Sequence, residues 1–135
     1  VINDANDTAR LLSEAMRRAA LSNLELQHRF TRNVDRYLEP TPDTYMRLVV
    51  EEVYELGVDI TEIYQDETNN VEPAMQEFTD VLVTLAGLYD TLAKMYGSER
   101  CSAALSKAVN QVVAKNAAKT TETHTYNGKK IVRKD

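Results

Sequence analysis

Five carboxylates crowd one short stretch of this 135-residue chain: Glu51, Glu52, Glu55, Asp59 and Glu62. At about 100° per residue on a helix they fall within an arc of roughly 100°. Glu52 and Asp59 border an apolar row made of Val49, Val53, Leu56 and Ile60. Like charges three and four residues apart repel by about 0.2–0.5 kcal/mol per pair in an isolated helix. No lysine or arginine falls between Glu51 and Lys94 to offset them. A second pair, Glu77 and Asp80, follows at i, i+3 spacing and leads into Val81-Leu82-Val83-Thr84-Leu85-Ala86. A carboxylate in such surroundings is expensive unless a cation or hydrogen bonds compensate it. If the two segments are helices packed antiparallel, Glu52/Glu55 can face Glu77/Asp80. Four converging carboxylates would make a hard, oxygen-rich site suited to Mg²⁺ or Mn²⁺ rather than zinc. An ordinary solvated acidic face is the other reading of the same spacing.

Other site chemistries find no support. Di-iron bundles use Glu-x-x-His pairs, and His28 and His124 follow no such pattern. Neither histidine receives a role. Cys101 has no histidine or cysteine partner in sequence and reads as buried filler. Phosphate loops of the GxxxxGK[ST] kind, GxGxxG and GxSxG elements are all missing.

The elements that would position these residues are helical. Four glycines and three prolines are few for a chain of this length, which argues against an all-β fold with its many turns. Leu11, Leu12, Ala15, Met16 and Ala19 recur at helical spacing, continued by Leu26, Phe30, Val34 and Tyr37. Leu38-Glu39-Pro40-Thr41-Pro42 should stop that helix, because proline lacks an N–H and disfavours the α region for the residue before it. Thr41 then reads as an N-cap with Pro42 at the first helical position, opening a second helix to about Gln65, before a polar turn over 66–70. A third helix is predicted from near Pro73 to Gly97. It has an apolar stripe (Phe78, Val81, Leu82, Leu85, Leu88, Tyr89, Leu92, Met95) and an opposite face of Asp80, Thr84, Gly87 and Thr91, so both sides should be covered. Ser98 is a candidate cap for a fourth helix to about Lys115, with Ala103, Ala104, Ala108, Val109, Val112 and Val113 as its apolar face. Beyond Lys119, β-branched residues and the pair Asn127-Gly128 predict a short hairpin or extended arm. The expected architecture is an all-α bundle of about four helices over 1–119 with a short basic arm or hairpin over 120–135, together one domain.

The net charge of −5 conceals a division. Residues 1–114 carry ten basic against nineteen acidic side chains, and residues 115–135 carry six against two. An acidic body argues against a nucleic-acid duplex as the main partner. The basic tail is either a solvated terminus or a segment that closes over one compact anion. A single cysteine excludes an internal disulfide and fits a reducing compartment. No apolar run approaches the ~20 residues a membrane span needs, and the first seven residues do not resemble a secretory signal. These features lead us to expect a cytoplasmic protein without a membrane partner.

Glu51-Glu52-Val53-Tyr54-Glu55, followed after 21 residues by Glu77-Phe78-Thr79-Asp80, resembles the EExxE…ExxD signature of the MazG-like all-α nucleoside triphosphate pyrophosphohydrolases. That superfamily is related to phosphoribosyl-ATP pyrophosphohydrolases and dimeric dUTPases. Lys115-Asn116-Ala117-Ala118-Lys119 and Asn127-Gly128-Lys129-Lys130 resemble its downstream Asn-x-x-Lys element and basic hairpin. The resemblance spans residues 45–135. It implies Mg²⁺-dependent cleavage of a (deoxy)nucleoside triphosphate between the α- and β-phosphates, giving a monophosphate and pyrophosphate. Carried over by position, Glu52, Glu55, Glu77 and Asp80 would be metal ligands, and Glu51 a further ligand or the base for the attacking water. Asn116 and Lys119, with Lys115, would contact phosphates. Arg47 would orient a carboxylate or touch phosphate, if it is not merely in a surface salt bridge. Family analogy also implies a homodimer or homotetramer. The alternative is a non-catalytic helical module that binds nucleotides or partners, its acidic face merely solvated.

Overall fold

The computed structural model describes residues 4–65 and 69–135. Four helices and one two-stranded sheet follow in chain order: α1 (Ala5–Asn33), α2 (Pro42–Gln65), α3 (Glu72–Tyr96), α4 (Ser98–Ala117), β1 (His124–Tyr126) and β2 (Ile131–Arg133). The expected all-α class is what the chain adopts. It divides into two compact units, Val1–Met95 and Tyr96–Asp135. Among the described residues no helix is long and apolar enough to cross a membrane.

In the first unit, the breaks follow local chemistry. Asp4 caps α1 by accepting from the Asn6 N–H at 2.8 Å. The helix ends at Asn33 with an extended Val34 as its C-cap, several residues before the prolines, and Arg36 takes a left-handed conformation with φ 59°. Thr41 and Pro42 open α2 as their types dictate. The Thr41 hydroxyl accepts from the Thr44 N–H at 3.3 Å, and the Thr44 hydroxyl accepts from the Thr41 N–H at 3.4 Å. Two helix-end donors are thereby satisfied reciprocally. Asn70 contributes a similar contact to the Glu72 N–H at 3.2 Å where α3 begins. The turn predicted over 66–70 lies partly outside the described residues.

The three helices meet over small and polar side chains rather than over the large apolar rows. Ala19 and Asn23 are the buried residues of α1, Tyr45 and Val49 those of α2, and Ala74, Thr84, Gly87 and Thr91 those of α3. Tyr45 is the centre of this contact. Its ring lies where a Cβ on Gly87 would fall, so the α2–α3 approach requires glycine there. Its hydroxyl donates to Asn23 Oδ1 at 3.0 Å and accepts from Gln27 Nε2 at 2.9 Å. The Tyr37 hydroxyl donates to Gln27 Oε1 and closes the chain of hydrogen bonds. Burial is the main reason the Tyr45 phenol is pushed above its ordinary pKa.

This arrangement corrects two expectations. Of the predicted α1 row only Ala19 is buried: Leu11, at 58%, Leu12 and Met16 lie on the same side of the helix as Ala19 and Asn23 but in the turns before them, and are exposed. On α3 the small-residue face is the tightly packed one, whereas Leu85, Tyr89 and Met95 of the apolar stripe are exposed. Among the described residues the stripe is covered only in part, with Phe78, Val81, Leu82, Leu88 and Leu92 half-buried.

The second unit consists of α4 and the hairpin. Gly97, with φ 101°, occupies the N-cap position of α4; Ser98 is its first residue and not its cap. No residue of α4 is buried, and Val109, Val112 and Val113 of its apolar face are each more than half exposed. The hairpin is antiparallel, with His124 opposite Arg133, Thr125 opposite Val132 and Tyr126 opposite Ile131. Asn127 accepts on Oδ1 from the N–H groups of Lys129 (2.9 Å) and Lys130 (2.8 Å), and Gly128 takes φ 88°. The Asn-Gly pair thus makes the predicted turn by an Asx-type contact beside a left-handed glycine.

Candidate functional site

Glu52 and Glu55 lie on one face of α2, one turn apart, and Glu77 lies in the second turn of α3. One carboxylate oxygen from each of the three falls within 4.8 Å of the other two. Glu52 and Glu77 are half-buried. Glu52 Oε2 and Glu77 Oε2 are shielded from solvent and have no hydrogen-bond partner. A contact between two carboxylates becomes a hydrogen bond only when one carries a proton. These two oxygens therefore need either a shared proton or a cation.

The electrostatics follow from that crowding. Burial, then the charge of Glu55, raises the Glu52 carboxyl to about 7, with Asp80 and Glu77 adding to the effect. Glu77 is raised for the same leading reasons. Among the described residues the ion pairs are Arg10–Asp7, Arg17–Glu14, Arg47–Asp43 and Lys94–Asp90, none of which reaches the cluster.

The remaining candidates take different positions. Asp80 is exposed and is not part of the three-oxygen group, although its charge acts on both Glu52 and Glu77. It lines a shallow groove with Val71, Met75, Gln76 and Thr79. Glu51 is exposed beside Glu52. Arg47 is in an exposed i, i+4 ion pair with Asp43 at 3.0 Å, the salt-bridge alternative considered for it. Lys115, Asn116 and Lys119 belong to the second unit. There Lys115 and Lys119 line a cavity with Thr123, His124 and Arg133. The Asn116 carbonyl accepts from the Lys119 N–H at 3.2 Å.

Sequence reasoning placed Gly87 on a small-residue face open to close approach but missed Tyr45 as what meets it, and it missed Arg133 and His124 beside the lysines. Counting outward from Asn127-Gly128 as a two-residue turn would have set His124 opposite Ile131; the four-residue loop 127–130 sets it opposite Arg133. For Tyr45 the only signal was the small-residue face of the third helix, which invites a close approach without naming its partner. No family model matches the chain, and no characterised protein or solved structure matches it either.

Proposed function

We propose that the first unit is the metal-holding part of a nucleoside triphosphate pyrophosphohydrolase of the MazG-like kind. The observation that carries this reading is the pair of solvent-shielded, unpartnered oxygens on Glu52 and Glu77, gathered with Glu55 where, among the described residues, no ion pair reaches them. Such a donor set of hard oxygens fits Mg²⁺ or Mn²⁺. Glu52, Glu55 and Glu77 would hold the ion, with Asp80 as the fourth carboxylate. When bound, a divalent ion supplies positive potential for a triphosphate and for the charge growing on the leaving pyrophosphate, and acidity towards water.

The chain's own residues do the rest. Glu51, exposed next to Glu52, would take the proton of the attacking water. The water oxygen bonds to the α-phosphorus as the bond from that phosphorus to the α–β bridging oxygen breaks, releasing monophosphate and pyrophosphate. Lys115, Asn116 and Lys119 would bind phosphate oxygens.

A second copy of the chain is part of the proposal. The open apolar face of α4 and the exposed Leu11/Leu12/Met16 row of α1 are the kind of surface a homodimer or homotetramer buries. A cytoplasmic setting agrees with the single cysteine.

The test is a panel of ribo- and deoxyribonucleoside triphosphates with Mg²⁺, with products identified. Pyrophosphate and monophosphate should appear, and Glu52→Ala and Asp80→Ala should abolish turnover. No turnover of any nucleotide, or unchanged rates in both variants, would leave the second reading: a helical module with a solvated acidic face.

A further inference from the structure

The α2 helix carries two rows of the same spacing side by side. Tyr45, Val49, Glu52, Leu56, Asp59 and Ile63 make the first, and each is buried or half-buried. Met46, Val50, Val53, Gly57, Ile60 and Tyr64 make the second, and all six are exposed. Its intervals run four, three, four, three, four, the heptad rhythm of a helix packed against another helix along its length. Exposure of its large side chains runs from 41% at Ile60 to 81% at Tyr64, and Tyr54 at the edge is 73% exposed.

Nothing charged interrupts this second row. Between Met46 and Tyr64 no charged side chain lies within about 60° of its centre line around the helix. Glu51, Glu52, Glu55, Asp59 and Glu62 all lie about 120° or more away. The Thr61 hydroxyl, at the edge, donates to the Gly57 carbonyl at 2.9 Å and is satisfied within the helix. Two copies can therefore bring these rows together without opposing like charges. Two tyrosines, with Met46, Val50, Val53 and Ile60, present roughly 600–800 Å² per copy, close to the ~800 Å² per partner of a standard interface. A lone soluble chain rarely leaves an apolar patch of that size uncovered.

Gly57 is a second, independent sign. Glycine within a helix lowers its stability relative to alanine. Packing inside the chain does not require it, as it does Gly87, because a Cβ on Gly57 would meet nothing within 4 Å. It leaves a notch in the middle of a bulky row. The intervals of that row read the same in both directions, so a second α2 laid antiparallel matches it about a point midway between Val53 and Gly57. Val53 then fills the notch at the partner's Gly57, Val50 meets the partner's Ile60, and Met46 meets the partner's Tyr64. Parallel pairing would set glycine on glycine and leave a void, which costs stability. We propose that α2 is a two-fold contact between two copies of this chain, its exposed row packed antiparallel on itself. The contact is distinct from the α1 and α4 faces considered above and does not depend on the carboxylate chemistry.

The experiment follows mass by light scattering and sedimentation equilibrium, with the full chain in EDTA, without nucleotide, over a range of concentrations. A species of at least two chains is expected. Gly57→Glu and Val50→Asp should each raise the dissociation constant roughly tenfold or more, because pairing would bury an unpaired charge. Both positions face solvent in the single chain, so helix content by circular dichroism should hold. Gly57→Glu should not lower the Tm of the dissociated chain, since glutamate is the better helix former. Val58→Glu, about a third of a turn off the row, should leave association unchanged. Direction is read from nitroxide labels on Asp43→Cys, with Cys101→Ser removing the native thiol. Antiparallel pairing separates the two labels by about 36 Å along the axis, and parallel pairing brings them within about one helix diameter, 10–12 Å. A mass of one chain throughout, as a foreign partner or another segment on the row would leave it, overturns the proposal. So does association that survives both row variants, as pairing through α1 or α4 alone would, or a short label distance alone.

Discussion

The carboxylate cluster makes a prediction about stability that needs no substrate. Glu52 in the folded chain is raised to about 7 from an ordinary value of 4.5, chiefly by burial and next by the charge of Glu55. Between those two values the folded state binds more protons than the unfolded chain. Stability of the metal-free protein must therefore fall as pH rises through that window and level off above it. At 1.36 kcal/mol per unit the shift corresponds to at most about 3 kcal/mol. Solvent reaches part of the cluster and screens it, which reduces the expected loss to about 1–2 kcal/mol. In a domain of this size that is a fall of about 3–8 °C in Tm. The assay is thermal unfolding by far-ultraviolet circular dichroism in EDTA, from about pH 5 to about pH 8.5. Glu52→Gln removes the charge and keeps the shape. Its Tm should change less over that range than the parent's and should exceed it at the alkaline end. Mg²⁺ should raise the parent's Tm at alkaline pH by binding only the folded state, and should do little for the variant. A parent Tm that climbs from acid to alkaline pH, or a variant less stable than the parent at the alkaline end, would refute the reasoning.

Other consequences are equally direct. Gly87→Ala places a methyl group inside the Tyr45 ring, so denaturant unfolding should show a loss of about 1–3 kcal/mol or more. Tyr45→Phe leaves Asn23 Oδ1 and Gln27 Nε2 without their buried partner; the same measurement should show a loss of about 1–3 kcal/mol. Asn127→Ala removes the acceptor for two N–H groups, and amide exchange at Lys129 and Lys130 should accelerate while α1 to α3 keep their protection. If a second copy covers α4, light scattering should give a mass of at least two chains, and Val112→Asp with Val113→Asp should reduce it.

What could be read from the sequence was local. Thr41 and Pro42 announced a helix start because a hydroxyl cap and a fixed φ act within four residues. Asn127-Gly128 announced a turn because one side chain bonds the backbone two and three residues on. The Glu52/Glu55 pair was legible for the same reason, since helical periodicity alone puts both on one face of α2. Glu77, on α3, joined them only through the assumed packing of the two helices. Long-range choices were less accessible. Leu11, Leu12, Met16 and Ala19 share one side of α1, yet only Ala19, with Asn23 a turn further on, is buried. Pattern identifies a face that is apolar and does not say what meets it. Nor did spacing distinguish Asp80 from Glu77, because a few ångströms of helix rotation decide which joins the tightest group. Arg133 went unnoticed because its relation to Lys119 passes through the hairpin register.

The Tyr45–Gly87 contact has a mechanical consequence. Tyr45 precedes Glu52 by seven residues and Gly87 follows Glu77 by ten, which is about 10 Å and about 15 Å along the respective helix axes. The ring wedged against bare backbone acts as a fulcrum, and the acidic side chains ride on the lever arms beyond it. A fraction of an ångström gained at the pivot would spread the jaws by a comparable amount or more. The smallest residue in the chain thereby governs the bore of a site in which it takes no part.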